Sequence, residues 1–194
     1  MTGGVRLTVL TRDDCEQVRQ WRNVDLVGLR TPYPLTVEMQ ARFYDTVICD
    51  RSSPHRYYAV KDGSQLVGQV GLVNIERENG RAEISLVTDP ERRQQGYGRQ
   101  AVDLILAEAF LRQGLRNVWG EVYQINPAWW FWLKVLAPYR PHWTTVIEAK
   151  LWEGEYWDAY HFTVKAERFR PAWMVRVERA QEPTSVLVRR ASDG

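Results

Sequence analysis

The pattern of hydrophobic and polar residues changes its period near the middle of the chain. In residues 81–88 apolar and polar side chains alternate, with Ala82 and Ile84 on one side and Glu83 on the other, which predicts a strand. After an Asp-Pro pair, the apolar residues between positions 101 and 110 recur at the spacing of a buried helix face. This part of the chain is therefore predicted to form a strand, a glycine-containing loop and a helix.

The same reasoning places the other elements. Helices are predicted near residues 13–23, near residues 36–50 and from residue 126 onward. The helix after residue 100 connects the fourth and fifth strands as a crossover, so these two strands are predicted to be parallel and the other pairs antiparallel. The other predicted strands are residues 5–11, 57–61, 66–75, 118–123, 144–152 and 156–164.

The loop at residues 93–99 has the chemistry of an anion-binding site. The first amides of a helix have no intrahelical acceptor and lie at the positive end of the helix dipole, so they can hold a phosphate. Gly96 and Gly98 let a ligand approach the backbone, and Arg93 and Arg99 add positive charge. The spacing excludes a P-loop and a dinucleotide fingerprint, and the alternative is a tight turn that only starts a helix.

Four motifs in order resemble the GCN5-related N-acetyltransferase superfamily. Arg93-x-x-Gly96-x-Gly98 resembles its coenzyme A loop, and Glu121-Val122-x-x-x-Asn126 resembles its fifth strand and the start of the next helix. Gly154-Glu155-Tyr156-Trp157 is similar to the closing hairpin of the ribosomal-protein N-terminal acetyltransferase branch. Trp21-Arg22-Asn23 recurs in that branch and in enzymes that acetylate nucleotide-linked amino sugars. The resemblance covers about residues 5–168.

The resemblance implies a fold and a reaction. The fold is an α/β structure with a mixed, mostly antiparallel sheet of about seven strands, flanked by helices, in which strands four and five splay apart. The reaction is direct transfer of an acetyl group from acetyl-CoA to a primary amine in a ternary complex, without a metal. Asn126 has a helix cap as its alternative role. The residues implied to bind acetyl-CoA are Leu86, Val87, Thr88, Arg93, Gln94, Gln95, Gly96, Tyr97, Gly98, Arg99 and Asn126.

Two glutamates and two tyrosines are candidates for catalysis. Glu121 matches a catalytic glutamate of the ribosomal-protein enzymes, and Glu83 is expected to border the slot that the splay of strands four and five leaves. A partly apolar cleft at this slot is expected to raise the pKa of a glutamate that acts as the base. The alternative for each is a surface ion pair with an arginine, or a proton relayed by water. Relatives often carry a tyrosine as proton donor where this chain has Leu133. Tyr139 or Tyr123 is expected to take that role, with departure of the thiolate without a dedicated acid as the alternative.

The acceptor wall implied by the family is the first pair of helices and the loop between them. The predicted substrate contacts there are Arg22, Asn23, Arg30 and Tyr33, with helix capping and surface charge as the alternative. The acceptor class stays open among a protein N-terminus, a nucleotide-linked amino sugar and an antibiotic amine. A run of four aromatic residues from position 129 is expected to line a cleft wall or a dimer surface, or else to pack under the next loop.

Composition agrees with this prediction without deciding it. A net charge of +2 and 26% charged residues argue against electrostatic binding of nucleic acid. The two cysteines and three histidines have no metal-ligand spacing, and the absence of a signal peptide and of an apolar span makes the cytoplasm the expected compartment, without membrane association. We expect a monomer or homodimer with an acetyltransferase domain at residues 1–168 and an appendage at residues 169–194. The alternatives are a catalytically silent module that binds coenzyme A and a protein that interacts through its tail.

Overall fold

The chain folds as one mixed sheet with helices on both faces. The structure is a computed structural model that describes residues 4–169. Its seven strands lie in the order β1-β2-β3-β4-β5-β7-β6, and β4 and β5 are parallel whereas all other pairs are antiparallel. This confirms the predicted architecture. The strands are β1 (Arg6–Val9), β2 (Arg56–Asp62), β3 (Gln65–Glu76), β4 (Arg81–Thr88), β5 (Asn117–Tyr123), β6 (His142–Trp152) and β7 (Glu155–Lys165).

Four α-helices connect these strands. They are α1 (Arg12–Val24), α2 (Val37–Phe43), α3 (Tyr97–Ala107) and α4 (Trp129–Leu136). Thr11 caps α1 because its side chain accepts the amide of Asp14, whose carboxylate in turn accepts the amide of Thr11. Two helices continue as π-helical turns, α2 over Tyr44–Ile48 and α3 over Glu108–Arg112.

The parallel pairing of β4 with β5 stops early. The two strands pair only at Arg81 with Asn117, Ala82 with Val118 and Glu83 with Trp119. Strand β4 nevertheless stays paired with β3 as far as Thr88. The second half of β4 therefore presents to β5 a backbone edge without a neighbouring strand, which is the splay that the resemblance implies.

The two faces of the sheet have different partners. Ala82 and Ile84 of β4 pack in the main core with α3, where Val102 and Ile105 are fully buried. Because side chains alternate along a strand, Glu83 points to the opposite face, which α1 covers. Carboxylates at the start of the splay are thereby kept apart from the main core.

The aromatic run on α4 is divided between packing and exposure. The ring of Trp132 lies 5.0 Å from that of Phe162, and the ring of Trp129 lies 5.2 Å from that of Tyr160, both on β7. Trp130 is 58% exposed. Most of the run thus packs on the sheet, and one indole faces solvent.

The predicted appendage at residues 169–194 lies almost entirely outside the described residues, which end at Phe169. Phe169 itself packs on Phe110 and on Tyr139, with ring centroids 5.3 Å apart in both cases. Within residues 4–169 none of the helices has the length and apolar character needed to cross a membrane.

Candidate active site

An arginine joins two carboxylates at the point where β4 and β5 separate. Arg30 comes from the segment between α1 and α2, and its Nη1 and Nη2 bind Glu83 at 3.0 and 2.8 Å. Its Nε donates to Oε1 of Glu121 at 2.9 Å. Burial opposes the charge of Arg30, but the bonds to Glu83 and Glu121 prevail and raise its pKa. The three residues predicted separately as base and acceptor contacts therefore form one ion cluster.

Glu83 is held on its second side by β3. Asn74 donates from Nδ2 to Oε2 of Glu83 at 3.0 Å. Asn74 lies where the β3–β4 register shifts, and its φ of 51° is in the left-handed region that asparagine tolerates. Its backbone amide donates to Nδ1 of His55 at 3.1 Å. A local irregularity of β3 thus aims an amide at a carboxylate that is only 8% exposed.

Glu121 is held on its second side by a histidine. Its Oε2 lies 2.6 Å from Nε2 of His161, the residue directly opposite on β7. Burial favours the neutral acid, yet the bonds from His161 and Arg30 outweigh it and lower the pKa of Glu121. The expectation of a raised pKa is therefore wrong for Glu121. Because an ionised carboxylate only accepts hydrogen bonds, Nε2 of His161 is the donor in this pair.

Tyr123 and Lys150 complete this side of the cluster. Burial raises the pKa of Tyr123, and the neighbouring carboxylate of Glu121 raises it further. The Nζ atom of Lys150 lies 4.5 Å from the centre of the Tyr123 ring and donates to the carbonyl of Leu29 at 2.6 Å. Tyr123 is thus a protonated phenol beside the carboxylate, and Lys150 ties β6 to the segment that carries Arg30.

Asn126 fixes the same segment from the other end of β5. Its Oδ1 accepts the amide of Ala128 at 2.9 Å, and its Nδ2 donates to the carbonyl of Gly28 at 3.3 Å. A Cβ at position 28 would lie 2.4 Å from Nδ2 of Asn126, so a larger residue there would displace the Asn126 side chain. Asn126 therefore both caps a turn and positions the segment that carries Arg30, and these contacts use one donor and one acceptor position of its amide.

The other predicted acceptor contacts, Asn23, Tyr33 and Arg22, lie in different surroundings. Asn23 exchanges two hydrogen bonds of 2.9 Å with the backbone of Leu35, so its amide closes the segment between α1 and α2. Tyr33 is 56% exposed in that segment. Arg22 lies on the sheet-facing side of α1, where burial lowers its pKa. The structure thus brings Arg22 and Arg30 to the face of the sheet that carries Glu83, and it gives Asn23 a structural bond.

The predicted coenzyme A loop has the backbone geometry of an anion site. Gly96 precedes α3 with a φ of 85°, and Gln94 has a φ of 66°. No side chain in the described structure caps α3, and its first turn contains no acidic residue. The first amides of this helix are therefore free for a phosphate ligand. Five predicted contacts on the loop are exposed, namely Arg93, Gln94, Gln95, Gly96 and Arg99.

The loop is fixed to the sheet beside the splay. Tyr97 donates from its hydroxyl to Asp62 at 2.9 Å, and a Cβ on Gly98 would lie 3.1 Å from the ring of Phe131 and 3.7 Å from Thr88. Leu86, Val87 and Thr88 are half-buried on the second half of β4, which is paired with β3 but not with β5. The helix terminus and the open strand edge are thus contiguous, as binding of a nucleotide with an extended thiol arm requires. These residues fit acetyl-CoA.

Tyr139, one of the two expected proton donors, is placed away from this cluster. Its side chain is fully buried and its hydroxyl donates to Asp103 of α3 at 2.5 Å. Asp103 belongs to the helix on the face opposite to Glu83. The Tyr139 phenol is therefore enclosed in the main core, whereas Tyr123 lies next to Glu121.

Sequence reasoning missed His161, Lys150 and Asn74. The spacing of the three histidines does not point to a role for any of them, and within residues 4–169 no group of His, Cys, Asp and Glu has metal-binding geometry. The signal for His161 lies in strand register, because pairing β5 with β7 sets Glu121 opposite His161. Lys150 follows a shift in the register of β6 and β7, which the sequence does not mark.

Solved structures with this fold include spermidine acetyltransferases of Vibrio cholerae. Mutant forms of its spermidine/spermine N-acetyltransferase SpeG are 19% identical, with a TM-score of 0.74 over 86% of this chain and 96% of theirs. A chimera of SpeG and hSSAT is 20% identical, with a TM-score of 0.73 over 86% of this chain and 98% of its own. A dodecameric spermidine N-acetyltransferase from the same organism is 20% identical, with a TM-score of 0.72 over 85% and 95%. At this identity the likeness establishes the fold.

The sequence itself establishes the family. No curated protein matches the chain significantly. The family model described as an acetyltransferase (GNAT) domain matches residues 5–130, which include the loop before α3, the splayed strands and both carboxylates of the cluster. The chain therefore belongs to the GNAT acetyltransferase domain family.

Proposed function

We propose that the protein transfers the acetyl group of acetyl-CoA to a primary amine. One observation carries this proposal. The second half of β4 has no partner on the β5 side; the uncapped N-terminus of α3 lies at one end of it and the Glu83–Arg30–Glu121 cluster at the other. A nucleotide is held at the first place and an amine is met at the second. Acetyl-CoA supplies the activated acyl carbon, which forms a bond to the amine nitrogen while its bond to sulfur breaks.

The residues that would hold acetyl-CoA have distinct tasks. The amides at the start of α3, with Arg93 and Arg99, bind the pyrophosphate as charge-assisted donors. The free backbone groups of residues 86–88 pair with the amides of the thiol arm, in the way that a further strand would. These two interactions direct the thioester to the start of the splay, where they bring the acyl carbon and the amine together.

Proton transfer is assigned to the pair Glu121–His161. The attacking amine must be neutral, and Glu121 with its lowered pKa stays ionised at neutral pH, so it fixes His161 with Nε2 protonated. Nδ1 of His161 makes no hydrogen bond within the described residues and is available to accept the proton, directly or through water. Tyr123, whose pKa is raised, remains protonated and is the donor to the departing thiolate.

Direct attack is favoured over a cysteine intermediate. Cys15 is fully buried, and burial raises the pKa of its thiol to about 11, so the nucleophilic thiolate is scarce at neutral pH. Cys49 is exposed at the end of the π-helical turn that follows α2. In a single turnover with radiolabelled acetyl-CoA, the label should pass to the amine without appearing on either cysteine.

The finer assignment within the family rests on the motifs of the sequence. We propose that the chain belongs to the ribosomal-protein N-terminal acetyltransferase branch, because Glu121 and Asn126 keep the spacing of that branch and Gly154-Glu155-Tyr156-Trp157 matches its closing hairpin. A monomer or a homodimer is the expected assembly, whereas one structural neighbour is a dodecamer.

The reaction is tested by coenzyme A release over a panel of amines. The panel contains a peptide N-terminus, a nucleotide-linked amino sugar, an aminoglycoside and spermidine, and mass spectrometry identifies the acetylated product. We expect thiol release to equal acetyl-amine formed for at least one class. Binding of acetyl-CoA without release for every class would favour the silent coenzyme A-binding module instead.

The proton-transfer assignment predicts a loss of turnover without a loss of cosubstrate binding. His161→Gln and Glu121→Gln should each lower kcat about 100-fold or more, since general-base catalysis contributes about 10² to 10⁴. The KM for acetyl-CoA should stay unchanged. His142→Gln is the matched control, because His142 is exposed on the neighbouring strand β6. An unchanged kcat in His161→Gln would remove His161 from the mechanism.

The lowered pKa of Glu121 predicts how the stability of the fold depends on pH. A carboxylate whose pKa is lower in the folded than in the unfolded chain stabilises above the ordinary carboxyl pKa, and this stabilisation is lost as pH falls through the folded-state pKa. Glu121→Gln should therefore reduce the free energy of unfolding by about 1.5–3 kcal/mol at pH 7, the usual range for hydrogen bonds to a charged group.

The difference between wild type and Glu121→Gln should shrink below about pH 4.5, near the ordinary pKa of glutamate. Denaturant unfolding from pH 7 to pH 3 measures it. Glu167→Gln is the control, because Glu167 is 71% exposed and its ion pair with Lys165 is long, at 3.7 Å. A difference that stays constant with pH, or grows in acid, would show that the carboxylate does not stabilise the fold through its charge.

A further inference from the structure

The sheet-facing side of α1 ends in a charged residue. Cys15 and Val18 on this side are buried in the fold, and Arg22 follows one turn later at the position where the stripe would continue. Arg22 is half-buried there, and the ionisable group that acts on it is Tyr57 of β2. A guanidinium thus occupies a place on the helix that faces the sheet rather than solvent.

Arg22 has no partner in the part of the chain that the structure describes, residues 4–169. The other two arginines of α1 differ from it, since Arg12 is paired with Asp45 and Arg19 binds both Glu16 and the carbonyl of Leu35. A cation partly withdrawn from water without a counter-charge is unfavourable. An anionic group from outside the described chain would supply the missing partner.

Tyr57 provides a second donor beside Arg22. Its ring lies across Gly71, where a Cβ would be 2.6 Å from Cδ1 of the tyrosine, and its edge meets Phe43 at 5.3 Å. Its hydroxyl makes no hydrogen bond within residues 4–169. Burial raises the pKa of Tyr57 to about 12, against the influence of Arg22, so the hydroxyl keeps its proton.

Strand register places this pair beside the ion cluster. Tyr57 is opposite Gly71, which is opposite Ser85 on β4, and Glu83 lies two residues before Ser85 on the same face. Because Gly71 has no side chain, nothing on β3 separates Tyr57 from β4 at this row. The electrostatic influence of both Arg22 and Glu83 on Tyr57 agrees with this arrangement.

Both carboxylates of the Glu83–Arg30–Glu121 cluster already have hydrogen-bond donors from within the chain. Glu83 binds Arg30 through both oxygens and accepts from Asn74, and Glu121 uses one oxygen for Arg30 and the other for His161. A second ammonium of a polyamine would have to displace one of these donors. Lys150 beside the cluster donates to the carbonyl of Leu29, whereas Arg22 has neither an ion pair nor a hydrogen bond within residues 4–169.

We propose that Arg22 and Tyr57 form a subsite for an anionic group of the acceptor, a carboxylate or a phosphate. This inference rests on the proposed function and names its substrate class, an amine whose body carries negative charge. The guanidinium binds the anion and the Tyr57 hydroxyl donates to it, while the amine enters at the Glu83–Arg30–Glu121 cluster. The acceptor would then differ in charge from spermidine.

The test uses matched amines that differ in one charge. Glucosamine 1-phosphate is compared with glucosamine, the amide of Ala-Asp with the amide of Ala-Asn, and spermidine serves as the polycation. For wild type we expect kcat/KM to be about 10-fold or more higher for at least one anionic member, as one charge-assisted hydrogen bond supplies. The pair that shows the preference distinguishes phosphate from carboxylate.

Variants assign the preference to Arg22. Arg22→Gln should abolish the preference for the anionic amine, mainly through a higher KM for that amine. It should change kcat/KM for the neutral member of the pair less than about 2-fold. Arg22→Lys should keep part of it, since a lysine retains the charge without the planar fork. Arg12→Gln, on the same helix, should leave it intact. Equal losses for both members of a pair in Arg22→Gln, or a wild-type preference for spermidine, would overturn the subsite.

A binding measurement separates this subsite from the reaction. Arginine Nε–H signals in nitrogen-15 NMR spectra are followed during titration with glucosamine 1-phosphate, with the amide of Ala-Asp and with their neutral counterparts. The Arg22 signal is identified by its loss in Arg22→Lys. A shift with an anionic probe alone supports the subsite even if no amine is acetylated. Acetylation of amines without such a shift supports the reaction and overturns the subsite.

Discussion

The site depends on one guanidinium shared between two strands. Arg30 binds Glu83 and Glu121 at the point where β4 and β5 cease to pair, so it holds together the carboxylates of two strands that diverge. Without it, two carboxylates on neighbouring strands would repel each other in a half-buried place. The same residue fixes the segment between α1 and α2, which is the wall that an acceptor would meet.

Several other bonds hold that wall in the same position. Three side chains donate hydrogen bonds to backbone carbonyls of the segment: Asn126 to Gly28, Lys150 to Leu29 and Asn23 to Leu35. These donors come from three different elements, after β5, on β6 and on α1. The wall is therefore preorganised relative to both carboxylates, and preorganisation of this kind is what positions an amine for attack.

The sequence predicts the fold well because its signals are local. The alternation in β4, the glycines before α3 and the crossover to β5 act over a few residues each, and the structure confirms the strand and the parallel pair. The sequence predicts the site in part. It indicates separate roles for Glu83, Glu121 and Arg30, but their union depends on contacts between residues 53 and 91 positions apart.

The features that the sequence does not predict have the same physical origin. The position of Tyr139 in the turn after α4 does not show how its ring packs, because the main core decides it. The pairing of Glu121 with His161 depends on the register of β5 and β7, which are separated by a helix and a hairpin strand. Such register is fixed by the whole buried face and not by a short motif. The lowered pKa of Glu121 follows from those same partners.

The central claim is that the start of α3 and the open edge of β4 hold acetyl-CoA, and isothermal titration of acetyl-CoA tests it most directly. Wild type and a Gln17→Trp control, altered at an exposed position of α1, should bind one equivalent. Gly98→Trp should not bind, because the space beside Gly98 is limited by Phe131 and Thr88 and the indole would cover the first amides of α3. Equal binding to Gly98→Trp, or no binding to wild type, would contradict the account.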